Sequence, residues 1–310
     1  MAIVLSILPI FFIILVGAFF RRMAFPDHGF WSGAEKITYY VFFPALLISK
    51  MAAAEMGSIN VLSIAPLLVS ILLLMTGLMV LAHWVSRKQK VLTDPAFTSV
   101  FQGGIRFNTY VGLAIVAALY GSEGVVIALV MVAIMIPLVN ILCVTILELY
   151  AEKVSSQRLR RLLMSIVSNP LIIGCVVGVV INVSNIALPY VLSEILTIFS
   201  QVALPLGLLT VGAALSLRAF NGVALPLFLS CLVKFLLLPI LAVVLAAVFG
   251  VSGIEYKVLL ILAVLPTATS AYVLAKQLGG DAELMATIIT VQTLLSAVWI
   301  PLVLGITKTV

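Results

Sequence analysis

The chain has 310 residues, of which 64% are hydrophobic and 9% charged, against roughly 45–50% and about 25% in soluble proteins. With a mean hydropathy of +1.33, this composition excludes a soluble enzyme, a nucleic-acid binder, a disordered chain and a disulfide-built secreted domain, since so much apolar surface cannot be hidden at this size. The net charge of +6 reflects basic residues lying between apolar runs, where the positive-inside rule places them.

A helix needs about 20 apolar residues to cross the hydrocarbon core. Ten stretches qualify: 3–20, 35–54, 60–85, 96–120, 124–150, 164–184, 189–217, 223–249, 255–277 and 281–306. Their unbroken apolar runs differ from the alternating pattern of a membrane barrel. The first has no basic leader region and no small-residue cleavage site, so it reads as a spanning helix rather than a signal. Capping boxes at Ser32–Glu35 and Ser252–Glu255 predict helix starts. So do Asp94-Pro95 and Asn169-Pro170, each with a cap residue before a proline. Cys143, Cys175 and Cys231 lie inside apolar runs without metal spacing and read as small buried hydrophobes. His83 and Trp84, at the end of the third span, read as interfacial. Gly174-x-x-x-Gly178 and Gly212-x-x-x-Ser216 permit close helix approach, within the protomer or across a homodimer. No Ser/His/Asp set, metal cluster or phosphate loop occurs, so neither enzymatic chemistry nor a cofactor is expected.

Of the seventeen Lys and Arg residues, twelve fall on the side that follows spans 1, 3, 5, 7 and 9. Three (Lys50, Lys257 and Lys308) fall on the other. This bias predicts that both termini lie outside the cytoplasm. The chain also repeats itself. Pro9 and Pro170, Pro44 and Pro205, Pro66 and Pro226, Pro26 and Pro189, and Pro137 and Pro301 are each 160 to 164 residues apart. The register maps span 1 onto span 6 and so on. A repeat of five spans is odd in number, so its second copy enters from the opposite side, which is the inverted repeat of many secondary transporters. The expected organisation is a first repeat over 1–150, a cytoplasmic linker over 151–163 and a second repeat over 164–310.

In such folds the substrate site lies near the midplane, where helices are interrupted. Span 4 contains Gln102-Gly103-Gly104-Ile105-Arg106-Phe107-Asn108-Thr109. Span 9 contains Pro266-Thr267-Ala268-Thr269-Ser270. Both read as broken helices, and they are counterparts under the repeat. Each break leaves a half-helix whose N–H groups carry partial positive charge and favour an anion. Asn108 and Thr109 would cap one, and Thr267 and Thr269 the other. The alternative is a proline kink with polar helix contacts and no ligand. The two remaining basic residues, Arg106 and Lys234, lie inside spans, where charge marks function. Arg106 either pairs with a carboxylate or holds backbone carbonyls at the break. Lys234 either exchanges a proton during transport, as a buried amine can, snorkels toward the membrane surface, or serves as a fixed structural cation where a sodium ion would otherwise sit.

The chain resembles the auxin efflux carrier family, including its bacterial malonate- and carboxylate-carrier-like members. The likeness rests on Tyr40-Val41-Phe42-Phe43-Pro44-Ala45-Leu46-Leu47, on Asn108-Thr109 followed by Gly112 and Tyr120-Gly121-Ser122-Glu123-Gly124, and on Asn169-Pro170-Leu171-Ile172. It continues in Ala203-Leu204-Pro205-Leu206-Gly207, Leu265-Pro266-Thr267-Ala268-Thr269 with Tyr272-Val273-Leu274-Ala275, and Gly279-Gly280-Asp281-Ala282-Glu283. The resemblance implies ten transmembrane helices in two inverted five-helix repeats, similar to the bile-acid/sodium symporter fold. It implies a scaffold of spans 1, 2, 6 and 7, and a transport domain of spans 3–5 and 8–10 that moves like an elevator. It implies a carboxylate-contacting asparagine at Asn108. Phe107 stands where plant members have proline, Ser270 where bacterial members often have asparagine, and span 3 lacks the plant members' acid. The function expected is a secondary transporter of a small organic anion in the cytoplasmic membrane, surrounded by lipid and binding no nucleic acid. Substrate-binding residues would be Arg106, Asn108, Thr109, Pro266, Thr267, Thr269 and Ser270, with Lys234 in coupling. A sodium-coupled importer of the bile-acid type, a channel and a membrane sensor are the alternatives.

Overall fold

A computed structural model describes residues 2–54, 59–89, 91–150, 168–216 and 223–307. The linker expected over 151–163 lies outside the described residues. Among the described residues the secondary structure is helical, without strands. Six helical stretches among the described residues are long and apolar enough to cross a membrane. In order the helices are α1 (Ala2–Arg22), α2 (His28–Ile37), α3 (Phe43–Ala52), α4 (Val61–Ser86), α5 (Asp94–Ile105), α6 (Thr109–Tyr150), α7 (Pro170–Val183), α8 (Tyr190–Ala213), α9 (Ala224–Leu232), α10 (Leu238–Val248), α11 (Gly253–Ala263), α12 (Ser270–Leu278) and α13 (Ala282–Thr307).

Two of the junctions share one cause. A π-helical turn, Thr38–Phe42, joins α2 to α3, and another, Val233–Leu237, joins α9 to α10. Each is followed by a proline one residue inside the next helix, Pro44 and Pro239. A proline ring clashes with the carbonyl four residues back and supplies no N–H. The preceding turn relaxes to a five-residue spacing, with Phe43 N–H donating to Thr38 O and Leu238 N–H to Val233 O.

Helix starts follow cap chemistry, with corrections. Asn169 caps α7 as expected, its Oδ1 accepting from Leu171 N–H at 3.0 Å. The box at Ser32 does not begin a helix. Asp27, in extended backbone, accepts from Gly29 N–H (2.6 Å) and Phe30 N–H (2.9 Å) and starts α2 earlier. A carboxylate taking two orphan N–H groups outcompetes a hydroxyl further on. At α5 the cap is Thr93, accepting from Ala96 N–H, and Asp94 is already helical. Ser252 precedes α11, but its side chain makes no capping bond.

The chain divides into two compact units. One takes the described residues of Met1–Val61, Thr109–Ala133 and Met164–Ala214, and the other those of Leu62–Asn108, Ile134–Leu163 and Leu215–Val310. In the first unit α1 packs along α8, and α3 packs on α7 and α8. The approaches are at backbone distance. A side chain at Gly212 would overlap the Ile14 carbonyl, and one at Gly178 would press on Met51 and Ile48. The Gly174–Gly178 pair is therefore used inside the protomer. Ser216 lies beyond the end of α8, so it shares no helical face with Gly212. Asn182 Nδ2 donates to Ala52 O (3.0 Å) and Ala54 O (2.8 Å), covering the open end of α3.

In the second unit α5 packs on α9, α12 and α13. Its outer end is held by a polar clamp. Asp94 accepts from Arg87 Nη2 at 2.6 Å and lies 3.0 Å from His83 Nε2. The His83 ring stacks on Phe97 with centroids 4.0 Å apart, and Tyr150 meets both rings edge-on. His83 is 3% exposed, whereas its neighbour Trp84 is 69% exposed. Trp84 keeps the surface position expected at an interface, and His83 turns inward.

Candidate functional site

The second unit holds two interruptions. Helix α5 ends at Ile105, and Arg106, Phe107 and Asn108 are unwound before α6. Helix α11 ends at Ala263, and Leu265–Ala268 are unwound before α12. The sequence explains both. Gly103 and Gly104 weaken the end of α5, and Pro266 cannot continue α11. Backbone groups freed at membrane depth must be satisfied within the protein, and here the breaks satisfy each other. Asn108 N–H donates to Pro266 O at 2.8 Å.

A buried network fixes this meeting. Thr267 Oγ1 lies 2.9 Å from Gly103 O and 2.6 Å from Gln292 Oε1; its one proton serves one of them at a time. Thr267 N–H donates to Gln292 Oε1 at 3.1 Å. Gln292 Nε2 donates to Gly103 O (3.1 Å) and to Ser230 Oγ (3.0 Å). A backbone N–H can only donate and a carbonyl only accept, so the orientation of the Gln292 amide is determined. A side chain at Gly103 would overlap Ser230 Oγ and Ile288, so the bare backbone is what lets α5 sit against α9 and α13.

Both cations lie at the first break. Lys234, in the π-helical turn after α9, is 0% exposed, and its Nζ donates to Arg106 O at 2.8 Å. That carbonyl sits at the C-terminal end of α5, where unpaired acceptors and partial negative charge collect. Arg106 Nη2 donates to Ser270 Oγ at 3.2 Å, at the first residue of α12. Neither cation has an acidic partner among the described residues. Cys143 of α6, fully buried, lies within electrostatic reach of both.

The residues expected at the site are therefore distributed as follows. Arg106, Asn108, Pro266, Thr267, Ser270 and Lys234 are linked through this network. Thr269 stands at the cap position of α12, but its side chain makes no capping bond, and the Thr267 hydroxyl is turned into the network rather than onto the helix end. Thr109 opens α6 and falls in the other unit. Gln292 and Ser230 were not among the expected site residues, since neither carries a charge. An amide in the middle of an otherwise apolar run is the signal that would have found Gln292, since lipid cannot satisfy it.

The apolar helices and interlocked breaks define a multi-pass helical membrane protein with a polar centre. Residues 2–304 match the model of the membrane transport protein family. The chain belongs to that family, the auxin efflux carrier-like transporters its motifs resemble. It is 23% identical over 297 residues to an uncharacterized transporter of Methanothermobacter thermautotrophicus, covering 96% of each chain. It is 33% identical over 123 residues to the ileal sodium/bile acid cotransporter of Oryctolagus cuniculus, covering 39% of this chain and 34% of that one.

Proposed function

We propose that this membrane transporter is a secondary carrier for a small organic anion, a malonate- or auxin-like carboxylate, exporting it across the cytoplasmic membrane by elevator-type alternating access. The observation that carries this reading is the pair of cations at the first break, Arg106 and Lys234, without an acidic partner among the described residues and beside the N-terminal end of α12. A fixed positive field at membrane depth suits an anion that completes it. Arg106 and Ser270 form the accessible side of the site, and Asn108 and Pro266 its floor.

Ten helices in two inverted repeats remain part of this proposal, and the backbone supports them. The breaks begin 159 residues apart, at Arg106 and Leu265. Each is followed by a half-helix and then a glycine at positive φ, Gly121 (59°) and Gly279 (81°).

Radiolabelled malonate flux in proteoliposomes tests the assignment. Arg106→Ala and Asn108→Ala should each lower flux at least tenfold while the protein stays folded. Wild-type rates in both variants would refute the site.

A second reading, sodium-coupled import, draws on the partial match to the bile acid cotransporter. Half-helix C-terminal carbonyls are where transporters of this kind hold sodium. Here the Lys234 ammonium already occupies such a carbonyl, which favours the first reading. Imposing a sodium gradient distinguishes them: acceleration supports import coupled to sodium, and indifference supports the carrier proposed.

A further inference from the structure

One face of α5 holds polar atoms that the network leaves unused. Gln102 is 0% exposed, and neither its Oε1 nor its Nε2 has a hydrogen-bond partner among the described residues. Four residues on, Arg106 Nη1 is also buried without a partner, while Nη2 meets Ser270. Residues four apart share a helix face. Thr98, one turn before Gln102, flanks Gly280 together with Leu147. Cys143, one turn before Leu147, lies within electrostatic reach of Arg106. Gln102 thus stands one turn from Thr98 and one turn from Arg106, and the thiol of Cys143 lies near the Arg106 end.

A buried primary amide with no bonds is costly, and a leucine or methionine would fill the same space without that cost. The amide offers a donor and an acceptor on one carbon, next to a guanidinium donor. We infer that Gln102 is a specificity-determining contact of the anion site, and that the site takes small carboxylates bearing a hydroxyl next to the carboxylate. Gln102 Nε2 and Arg106 Nη1 hold carboxylate oxygens, and Gln102 Oε1 accepts the hydroxyl proton. A simple carboxylate leaves Oε1 unsatisfied. This inference rests on the carboxylate reading above and narrows it.

Calorimetric titration of the purified full-length protein with lactate and with propionate tests it. Wild type should bind lactate about tenfold or more tightly than propionate. In Gln102→Leu and Gln102→Met the ratio should fall to about one, through weaker lactate binding. Their melting temperatures should be unchanged or higher, because an unpaired amide has been replaced by apolar atoms. Equal affinities in wild type, or a ratio that survives in folded variants, would overturn the inference and leave the carboxylate reading standing. A lowered melting temperature with the ratio retained would mark Gln102 as structural, which also overturns it. If neither acid nor malonate binds wild type, the carboxylate reading itself falls.

Discussion

Gln292 and Lys234 act on the same short stretch of backbone by different means. Gln292 joins α13 to Gly103, Ser230 and Thr267 through one amide whose orientation is determined. Gln292→Ala leaves the Thr267 N–H without its acceptor and removes the bonds to Gly103 O and Ser230 Oγ, and should cost about 2 kcal/mol, since interhelical hydrogen bonds in membranes contribute roughly 0.6–1.7 kcal/mol each. Gln292→Glu should be at least as harmful, because a carboxylate cannot donate to Gly103 O. A thermal melt of the purified protein checks both. Lys234 instead places a charge on the end of α5. If it exchanges a proton during the cycle, Lys234→Met should transport without dependence on an imposed pH gradient, and dependence equal to wild type would remove that role. Arg106 and Lys234 were legible in the sequence because charge inside a span is conspicuous. Ser230 and Gln292 are less conspicuous, each a single uncharged polar residue in an apolar run, and the sequence does not show that they reach each other and the Gly103 carbonyl. Gln102 stands in the polar stretch of span 4, but that its amide lacks a partner is seen only in the structure.

At the scale of elements, the breaks were predictable and the turns beside them were not. Glycine pairs and a mid-span proline weaken a helix wherever they stand, so 106–108 and 265–268 could be anticipated to within a few residues. A π-helical turn leaves no such trace, because its signal is a proline that also fits an ordinary helix start. The difference matters for Lys234. The five-residue turn over Val233–Leu237 inserts one extra residue, which sets the rotation of Lys234 about the helix axis. Pro239→Ala allows a normal turn to form. It should therefore rotate Lys234 away from Arg106 O and lower transport severalfold with little loss of stability. Pro226→Ala, in the first turn of α9, should leave flux near the wild-type rate. Comparing the two variants in one flux assay isolates the register from the general effect of removing a proline. Cap positions slipped for a related reason. Asp27 and Thr93 won over Ser32 and Asp94 because their own backbones are extended, which residue type alone does not reveal.

For the whole molecule, hydropathy sufficed to separate membrane from water and helix from strand. It did not divide the chain into units, because both units draw on segments far apart in sequence and α6 contributes to each. Only long-range contacts carry that information. The twelve-to-three distribution of Lys and Arg predicts both termini outside the cytoplasm, and with that active alkaline phosphatase fused at either terminus and inactive enzyme inserted near Lys88; the opposite pattern would invert the topology. The possibility of a homodimer loses one of its expected contacts, since Gly174 and Gly178 are engaged with α3. The bond from Asn108 N–H to Pro266 O joins main chain to main chain. Every residue type except proline at position 108 can supply that donor. The meeting of the two breaks can therefore outlast the replacement of the side chains around it, leaving those side chains free to vary while the junction beneath them is inherited unchanged.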